Sequence, residues 1–172
     1  MYTIIGFHTC EDRGESNEEI KSKVPIKSEQ EGQWLGAGYY FWTDSYRYAR
    51  TWGTYNKRVV SEFDINFSTQ KEIFDLVGNA SHQEEFENML TEMVKKNPKL
   101  YNMDMSAIFY FFRDKDVFEQ YKAIKACNRC EFKERFFTNR PERLMFPTRI
   151  QLCLFEKNVE LILKDIIRDG GD

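Results

Sequence analysis

The residue types best suited to chemistry stand between Trp34 and Asp44, where two glycines lie among aromatic residues. Gly36 and Gly38 allow tight turns and close approach to the backbone, because glycine has no Cβ. The neighbouring rings belong to Trp34, Tyr39, Tyr40, Phe41 and Trp42. This combination suits a flat ligand stacked on a ring beside exposed backbone. The alternative is that these rings pack in the core, as large apolar side chains usually do.

Two polar residues end or interrupt apolar runs elsewhere in the chain. His8, one of two histidines, closes the run at residues 2–8, and Gln151 lies inside Arg149–Phe155. By position alone, His8 is typical of a half-buried polar residue at a strand end, and Gln151 is typical of a glutamine that faces solvent at a sheet edge.

The elements that must position these residues are mixed helices and strands. Strands are expected at 2–8, 38–43, Lys57–Phe67 and Arg149–Phe155, with Val59, Phe63 and Ile65 in the core. Helices are expected at Asn17–Ser22, Ser45–Gly53 (with Ala49 and Trp52 inward), Ser81–Lys96 and Lys115–Ala126. Ser81 and Glu84 have the spacing of a capping box. Residues 127–148 look like a loop, and Val159–Ile167 is either a strand or a helix.

Length and composition favour one globular domain over residues 1–172. Hydrophobic residues make up 41% of the chain and charged residues 31%. No apolar run approaches the roughly 20 residues that span a bilayer, so no membrane association is expected. With no basic leader at the N-terminus, we expect a cytoplasmic protein.

The four cysteines do not form a recognisable metal site. Cys127 and Cys130 make one C-x-x-C pair, but no second pair accompanies Cys10 and Cys153. Structural zinc needs four ligands at suitable spacing, so reduced thiols are expected and no metal. A redox role for Cys127 and Cys130 stays open.

Charge is unevenly distributed along the chain. The net charge is −3, yet residues 113–149 carry +4 and the remainder −7. Basic and aromatic residues alternate just before Gln151, at Lys133, Arg135, Phe136, Phe137, Arg140, Arg143 and Phe146. Such a segment suits a nucleic-acid partner, since rings stack on bases and arginines bind phosphates. A packed loop with a solvated rim is the other interpretation.

Three separated pieces of the sequence together resemble the ADP-ribosyltransferase family of the His-Tyr-Glu class. They are Phe7-His8-Thr9, the segment Leu35-Gly36-Ala37-Gly38-Tyr39-Tyr40-Phe41, and Arg149–Phe155 with Gln151. The class includes diphtheria-type toxins, poly(ADP-ribose) polymerases and small bacterial relatives. The Ala49-x-x-Trp52 spacing and the segment Ile73-Phe74-Asp75-Leu76 also resemble those small relatives.

The resemblance implies a site that cleaves the nicotinamide–ribose bond of NAD. His8 would hydrogen-bond the adenosine ribose, the Thr9 backbone would hold the nicotinamide carboxamide, and Gln151 would hold the nicotinamide ribose. Tyr40 would stack on the nicotinamide ring, with Gly36 and Gly38 letting the chain pass close. Tyr39 is the alternative to Tyr40, because neighbouring strand residues face opposite sides.

Two residues depart from the pattern of the family. Thr9 stands where a glycine is usual, and Gln151 stands where a glutamate is usual. The loss of a carboxylate implies transfer of a single ADP-ribose unit rather than chain growth, with Glu156 as a distant substitute. The implied fold is α+β, with split antiparallel sheets and a helical insertion.

The implied function is an NAD-dependent mono-ADP-ribosyltransferase that acts on a protein or a nucleic acid. A toxin or defence effector with a neutralising antitoxin or immunity partner fits this activity. The alternative is a catalytically silent member of the fold that binds a nucleotide or a protein. RNA 2′-phosphotransferase chemistry ranks behind both, because the extra basic residues of that family are not evident.

Overall fold

The architecture is α+β, built on a mixed, mostly antiparallel sheet. The computed structural model describes residues 1–29, 32–54, 57–134 and 143–168, with the backbone alone at 129–134 and 143–147. Within these residues seven strands form one sheet in the order β4-β5-β6-β2-β1-β3-β7. The strands are β1 Tyr2–Glu11, β2 Tyr39–Thr43, β3 Arg58–Phe67, β4 Ile73–Asp75, β5 Ala123–Glu134, β6 Arg143–Leu154 and β7 Glu160–Arg168.

Four α-helices accompany the sheet in the described part of the chain. They are α1 Asn17–Lys23, α2 Tyr46–Ala49, α3 Ala80–Lys96 and α4 Met105–Asp114. Ser16 and Glu19 form a capping box at the start of α1, and Asp104 accepts a hydrogen bond from the Ala107 amide at the start of α4. None of the helices described is long and apolar enough to cross a membrane.

The helices cover both faces of the sheet, because strand residues alternate between two apolar clusters. On one face Phe41 and Leu152 pack with Ile20 of α1. On the other face Phe74 and Ile124 pack with residues of α3 and α4. A smaller cluster, formed by Phe7, Trp42, Ala49 and Val60, seats α2. The second and third clusters surround the strand residues that matter for the site below.

The expectation of split sheets is wrong, since the described strands form one continuous sheet. β6 pairs on one side with β2, where Leu154 lies opposite Tyr39, and on the other side with β5, where Leu154 lies opposite Ala123. A strand that bonds along both edges leaves no break between its neighbours. The α3–α4 region does stand as a helical insertion, between β4 and β5.

The helix expected at Lys115–Ala126 is also wrong. The apolar residues Phe118, Tyr121 and Ile124 are buried as expected, but Ala123 begins β5. β5 gains a parallel partner in β4 and an antiparallel partner in β6, and this pairing overrides a helical pattern of apolar residues. α4, which ends at Asp114, was not predicted from the sequence.

The segment expected as a loop at 127–148 belongs largely to β5 and β6. β2 pairs with β6 only over Gln151–Leu154, while β5 and β6 go on pairing with each other as far as Glu134 and Arg143. They therefore form a two-stranded ribbon past the edge of the sheet. Residues 135–142, which include Arg135, Phe136, Phe137 and Arg140 of the expected acceptor segment, lie outside the described residues, as do the side chains of Lys133, Arg143 and Phe146.

The other expected elements are confirmed with shifted ends. The first strand continues past His8 to Glu11, because β3 pairs with it along its whole length. The helix at Ser81–Lys96 is present from Ala80, but its cap is Asn79, whose side chain accepts from the Ser81 and His82 amides. The uncertain segment at Val159–Ile167 is a strand, since it pairs with β3 at the edge of the sheet.

Candidate functional site

The site begins where two neighbouring strands part. In the described sheet β1 and β2 pair only at Gly6 with Thr43 and at Phe7 with Trp42. Immediately beyond Phe7 the ladder stops, although β1 continues against β3 and β2 against β6. The gap between the two strands receives side chains from both faces of the sheet.

A cavity of about 140 Å³ occupies this gap. A cavity of roughly 150 Å³ holds one benzene-sized ring in another protein, so this one has room for a single planar ring. The residues that line it come from β1, β2, β6 and the segment before β2. They are His8, Thr9, Ile26, Ser28, Gln33, Trp34, Tyr40, Trp42, Trp52 and Gln151.

The structure thus brings together His8, Tyr40 and Gln151, which lie far apart in the sequence. Thr9 lines the same cavity, and its hydroxyl donates a hydrogen bond to the Ala49 carbonyl of α2. Sequence analysis expected these four residues at one site on the basis of a resemblance. Their meeting in one cavity is a geometric fact, while the role of each towards a ligand stays a prediction.

Both ring nitrogens of His8 are held by backbone groups. The Ile26 amide donates to Nε2 at 3.1 Å, so Nδ1 carries the proton and donates to the Tyr40 carbonyl at 3.0 Å. Burial lowers the pKa of His8 to about 4, and the charge of Lys157 acts in the same direction. His8 is therefore neutral near pH 7, and it can bond a ribose hydroxyl through Nε2 only if Ile26 moves away.

Gln151 is already engaged by a residue of the segment before β2. The indole Nε1 of Trp34 donates to Oε1 of Gln151 at 2.7 Å. Gln151 is 7% exposed, so its amide has little contact with water. Trp34 therefore covers the one glutamine on which the proposed chemistry would depend.

The Tyr40 hydroxyl is hydrogen-bonded to the same segment. This hydroxyl accepts a hydrogen bond from the Leu35 amide at 3.1 Å and donates to the Gly36 carbonyl at 2.7 Å. Burial, together with the neighbouring Cys153 thiol, raises the pKa of Tyr40. Burial also raises the pKa of Cys153 to about 12. The Tyr40 ring lines the cavity, while its hydroxyl holds the loop that carries Trp34.

Gly36, Gly38 and Tyr39 do not line this cavity. Gly36 adopts φ +81°, a left-handed conformation that favours glycine. A Cβ on Gly38 would lie 2.6 Å from both the Cys153 Sγ and the Leu154 carbonyl oxygen. The second glycine is thus needed for packing against β6. Tyr39 packs on the opposite face of the sheet, with the cluster that contains α1.

Trp34 and Trp42 were noted in the sequence as rings near the two glycines but were given no role, and Trp52 was not placed at the site. Ile26, Ser28 and Gln33 also line the cavity and carried no signal in the sequence. All three tryptophans of the chain line the cavity. Trp52 was expected to face inward, and that expectation is wrong: it is 51% exposed, although its ring lies 5.8 Å from the Trp42 ring. Its spacing from Ala49 indicated the position but not the exposure.

The cavity is nearly uncharged. Among the described residues none that lines it is a carboxylate, and its histidine is neutral. Glu156, the distant substitute for the usual glutamate, does not line it. The Glu156 carboxylate accepts from Lys27 Nζ at 2.7 Å and its side chain is 60% exposed. Any positive charge that develops here must be stabilised by dipoles and aromatic faces.

Among the cysteine side chains that the structure describes, none lines the cavity, and Cys153 lies behind Tyr40. The Cys127 thiol donates to the Thr148 carbonyl at 2.9 Å, and the Cys130 side chain lies outside the described residues. In the described ranges no group of three or more histidine, cysteine or acidic side chains is placed to hold a metal ion.

Comparisons with protein-family models, with curated proteins and with solved structures gave no match. The functional interpretation therefore rests on the cavity and on the motif residues themselves.

Proposed function

We propose that the chain is an NAD-dependent mono-ADP-ribosyltransferase, which releases nicotinamide and transfers ADP-ribose to a protein or nucleic-acid acceptor. One observation carries the proposal. His8, Tyr40 and Gln151, chosen from separate parts of the sequence, line a single cavity with room for one planar ring. The nicotinamide ring of NAD is such a ring, and the rest of the dinucleotide would extend out of the cavity.

The lining side chains suit the electronic demands of this reaction. Cleavage of the bond passes through an oxocarbenium-like ribosyl cation, as in glycoside hydrolysis. The Gln151 carbonyl would direct its negative end at the ribose, and the faces of Trp34 and Trp52 would lie beside the charge. A neutral amide stabilises a cation less than a carboxylate does. The expected turnover is therefore low, and a single unit is transferred.

The segment before β2 has to move for this function. Trp34 holds the Gln151 carbonyl, and Ile26 holds Nε2 of His8. Binding of NAD would replace these two hydrogen bonds by bonds to the two ribose hydroxyl groups. The Trp34 and Ile26 N–H groups released by this movement must then bond to water, because a buried donor without a partner is costly.

The same two hydrogen bonds favour a second candidate, a catalytically silent module that binds one planar ring or a protein partner. In that function Trp34 and Ile26 stay in place, and the cavity accepts a ring without exposing Gln151. The two candidates differ in whether nicotinamide is released.

The test uses two readouts on the same protein. Because every tryptophan lines the cavity, binding of nicotinamide or NAD should quench the intrinsic fluorescence. Incubation with NAD and a cell lysate should release nicotinamide and label an acceptor. The substitutions His8→Ala and Tyr40→Ala should each abolish nicotinamide release and acceptor labelling. His82→Ala, which removes the other histidine, serves as the control.

The outcomes separate the candidates. If the ligand quenches the fluorescence but no nicotinamide is released from NAD with any lysate tested, the silent module is supported. The absence of both quenching and release would overturn the proposal. A role as a toxin or defence effector predicts that expression arrests growth with His82→Ala but not with His8→Ala, and that a neutralising partner restores growth.

A further inference from the structure

A chain of alternating arginines and aromatic rings borders the cavity on its outer side. The Arg149 guanidinium lies 5.9 Å from the Trp42 ring, which lies 6.0 Å from the Tyr48 ring. The Arg47 guanidinium lies 5.8 Å from the Tyr48 ring. We call this the aromatic–arginine surface; it comprises Arg47, Arg50, Arg149, Tyr48 and Trp52, which lie around the buried ring of Trp42.

Arg149 stands at the point where β6 leaves β2 and continues as the ribbon. It is two residues before Gln151 and adopts φ +57°, which is uncommon for a residue with a side chain. Gln151 lies opposite Trp42 in the sheet, and Trp42 lines the cavity. The Arg149 guanidinium lies over the Trp42 ring, at 5.9 Å from its centroid, and therefore beside the cavity.

The arginines of α2 are available for an anionic partner. Arg47 and Arg50 are exposed, and Arg50 lies 6.0 Å from the Tyr46 ring. Within residues 1–29, 32–54, 57–134 and 143–168, neither of them nor Arg149 forms an ion pair with a carboxylate. The first turn of α2 contains no acidic residue. These three guanidinium groups therefore lie beside aromatic rings, and no carboxylate of the described residues pairs with them.

Trp52 adds an exposed indole face to this surface. It is 51% exposed, although its ring contacts the buried Trp42. An indole left half in water forgoes part of its burial free energy, whereas a stacked base would cover it. Base–aromatic stacking and arginine–phosphate contacts are the two interactions by which proteins hold single-stranded nucleic acid.

We infer that the aromatic–arginine surface binds single-stranded nucleic acid and presents one nucleotide to the cavity. A duplex fits less well, because its bases are already stacked and do not offer a face to Trp52. An acidic peptide would use the arginines but not the exposed indole. The inference that the bound strand is the acceptor of ADP-ribose rests on the proposed function, whereas binding of the strand does not.

The first experiment measures binding without NAD, by fluorescence anisotropy of labelled single-stranded RNA and DNA oligonucleotides over a range of salt. The wild-type chain should bind both, and the affinity should fall with salt with a slope of about −0.7 for each phosphate contacted. Arg149→Ala should make this slope less steep by about 0.7, the value for one phosphate contact. Trp52→Ala should weaken binding by about tenfold or more while leaving the slope unchanged.

Two controls make the result specific. Lys71→Ala removes one positive charge far from the cavity. Lys71 follows the end of β3, which pairs with Tyr2, and Tyr2 lies at the opposite end of β1 from His8. It should change neither affinity nor slope. Poly-glutamate should compete far less well than an unlabelled single strand of equal charge, and a duplex should bind more weakly.

Several results would overturn the inference. They are no binding at low salt, binding that both Arg149→Ala and Trp52→Ala leave intact, and equal competition by poly-glutamate. Failure of the proposed function looks different: single strands bind as expected, but nicotinamide is not released when NAD is added. If strand binding fails while lysate proteins are labelled, the acceptor is a protein.

Discussion

The indole N–H of Trp34 donates a 2.7 Å hydrogen bond to the side-chain carbonyl of Gln151, across 117 positions of sequence. This bond joins the segment before β2 to the strand that carries the proposed chemistry. It makes Trp34 a cover over Gln151.

Replacement Trp34→Phe keeps a ring over the cavity but removes the N–H donor. We expect faster nicotinamide release and tighter NAD binding, because the Gln151 carbonyl no longer has to give up a partner. The free energy of unfolding should fall by about 1 kcal/mol. The checks are a nicotinamide-release assay and urea unfolding. If release falls instead, Trp34 binds the substrate rather than covering Gln151.

Replacement Gln151→Glu should raise the rate of nicotinamide release on the order of tenfold or more, since a carboxylate stabilises the ribosyl cation better than an amide does. The gain should grow with pH as the new carboxyl ionises. Gln151→Met, which is similar in size but offers no oxygen, should reduce release to background. Equal rates for the glutamine, glutamate and methionine forms would show that this side chain takes no part in the reaction.

The buried His8 should make stability depend on pH. Burial lowers the pKa of His8 in the folded chain to about 4, below its ordinary value of 6.5, so the unfolded chain takes up the proton first. The contribution of neutral His8 to the free energy of unfolding is complete above pH 6.5. It declines as the pH falls towards 4, by about 3 kcal/mol in total. Chemical denaturation across this range should show a steeper loss for the wild-type chain than for His8→Asn.

Nuclear magnetic resonance gives an independent check of the same prediction. The chain has two histidines, so the ring resonance that disappears in His8→Asn identifies His8. That resonance should titrate near pH 4 in the folded chain. Titration near 6.5 would mean that His8 is in contact with water, contrary to its 6% exposure.

The hydroxyl of Tyr40 should stabilise the loop before β2. Tyr40→Phe removes the partner of both the Leu35 amide and the Gly36 carbonyl, so the free energy of unfolding should fall by about 1–2 kcal/mol. Tyr39→Phe is a matched control, because no hydrogen bond to the Tyr39 hydroxyl occurs within the part of the chain described. Equal losses in the two variants would contradict this account of the loop.

Gly38 should tolerate no side chain. In Gly38→Ala the new Cβ would meet the Cys153 Sγ and the Leu154 carbonyl at 2.6 Å, and the bridge between Gly38 and Ser28 restricts any shift. We expect a loss of about 3 kcal/mol. Gly14→Ala, where nothing lies within 4 Å but φ is +80°, should cost only about 1 kcal/mol. Unfolding curves of the two variants decide the matter.

The strands around the site were predictable because their signals are local. β1, β2 and β3 are runs rich in β-branched and aromatic residues. The end of β1 at Glu11 was not predictable, because it depends on pairing with β3. β5 was not predictable in this way. Its start at Ala123 depends on β4 and β6, which lie far away in sequence, while the burial of Phe118, Tyr121 and Ile124 also fits a helix.

The site shows the same division between local and distant information. His8, Tyr40 and Gln151 could be selected by residue type and order, and the structure places them in one cavity. The bonds that hold them could not be selected, because Ile26 and Trp34 reach them through the path of a loop. Aromatic composition alone does not distinguish a ring that covers a site from one that packs in the core.

The narrow join between β1 and β2 has a mechanical consequence. It divides the described sheet into two blocks, one of β1, β3 and β7 and the other of β2, β6, β5 and β4, held edge to edge by the positions of Gly6 and Phe7. A small twist of one block against the other would widen or narrow the gap while leaving the ladders within each block intact. Phe41 of β2 packs against Phe63 of β3 across this join, with ring centroids 5.7 Å apart, so a twist that changed the cavity would also have to repack the core that both blocks share.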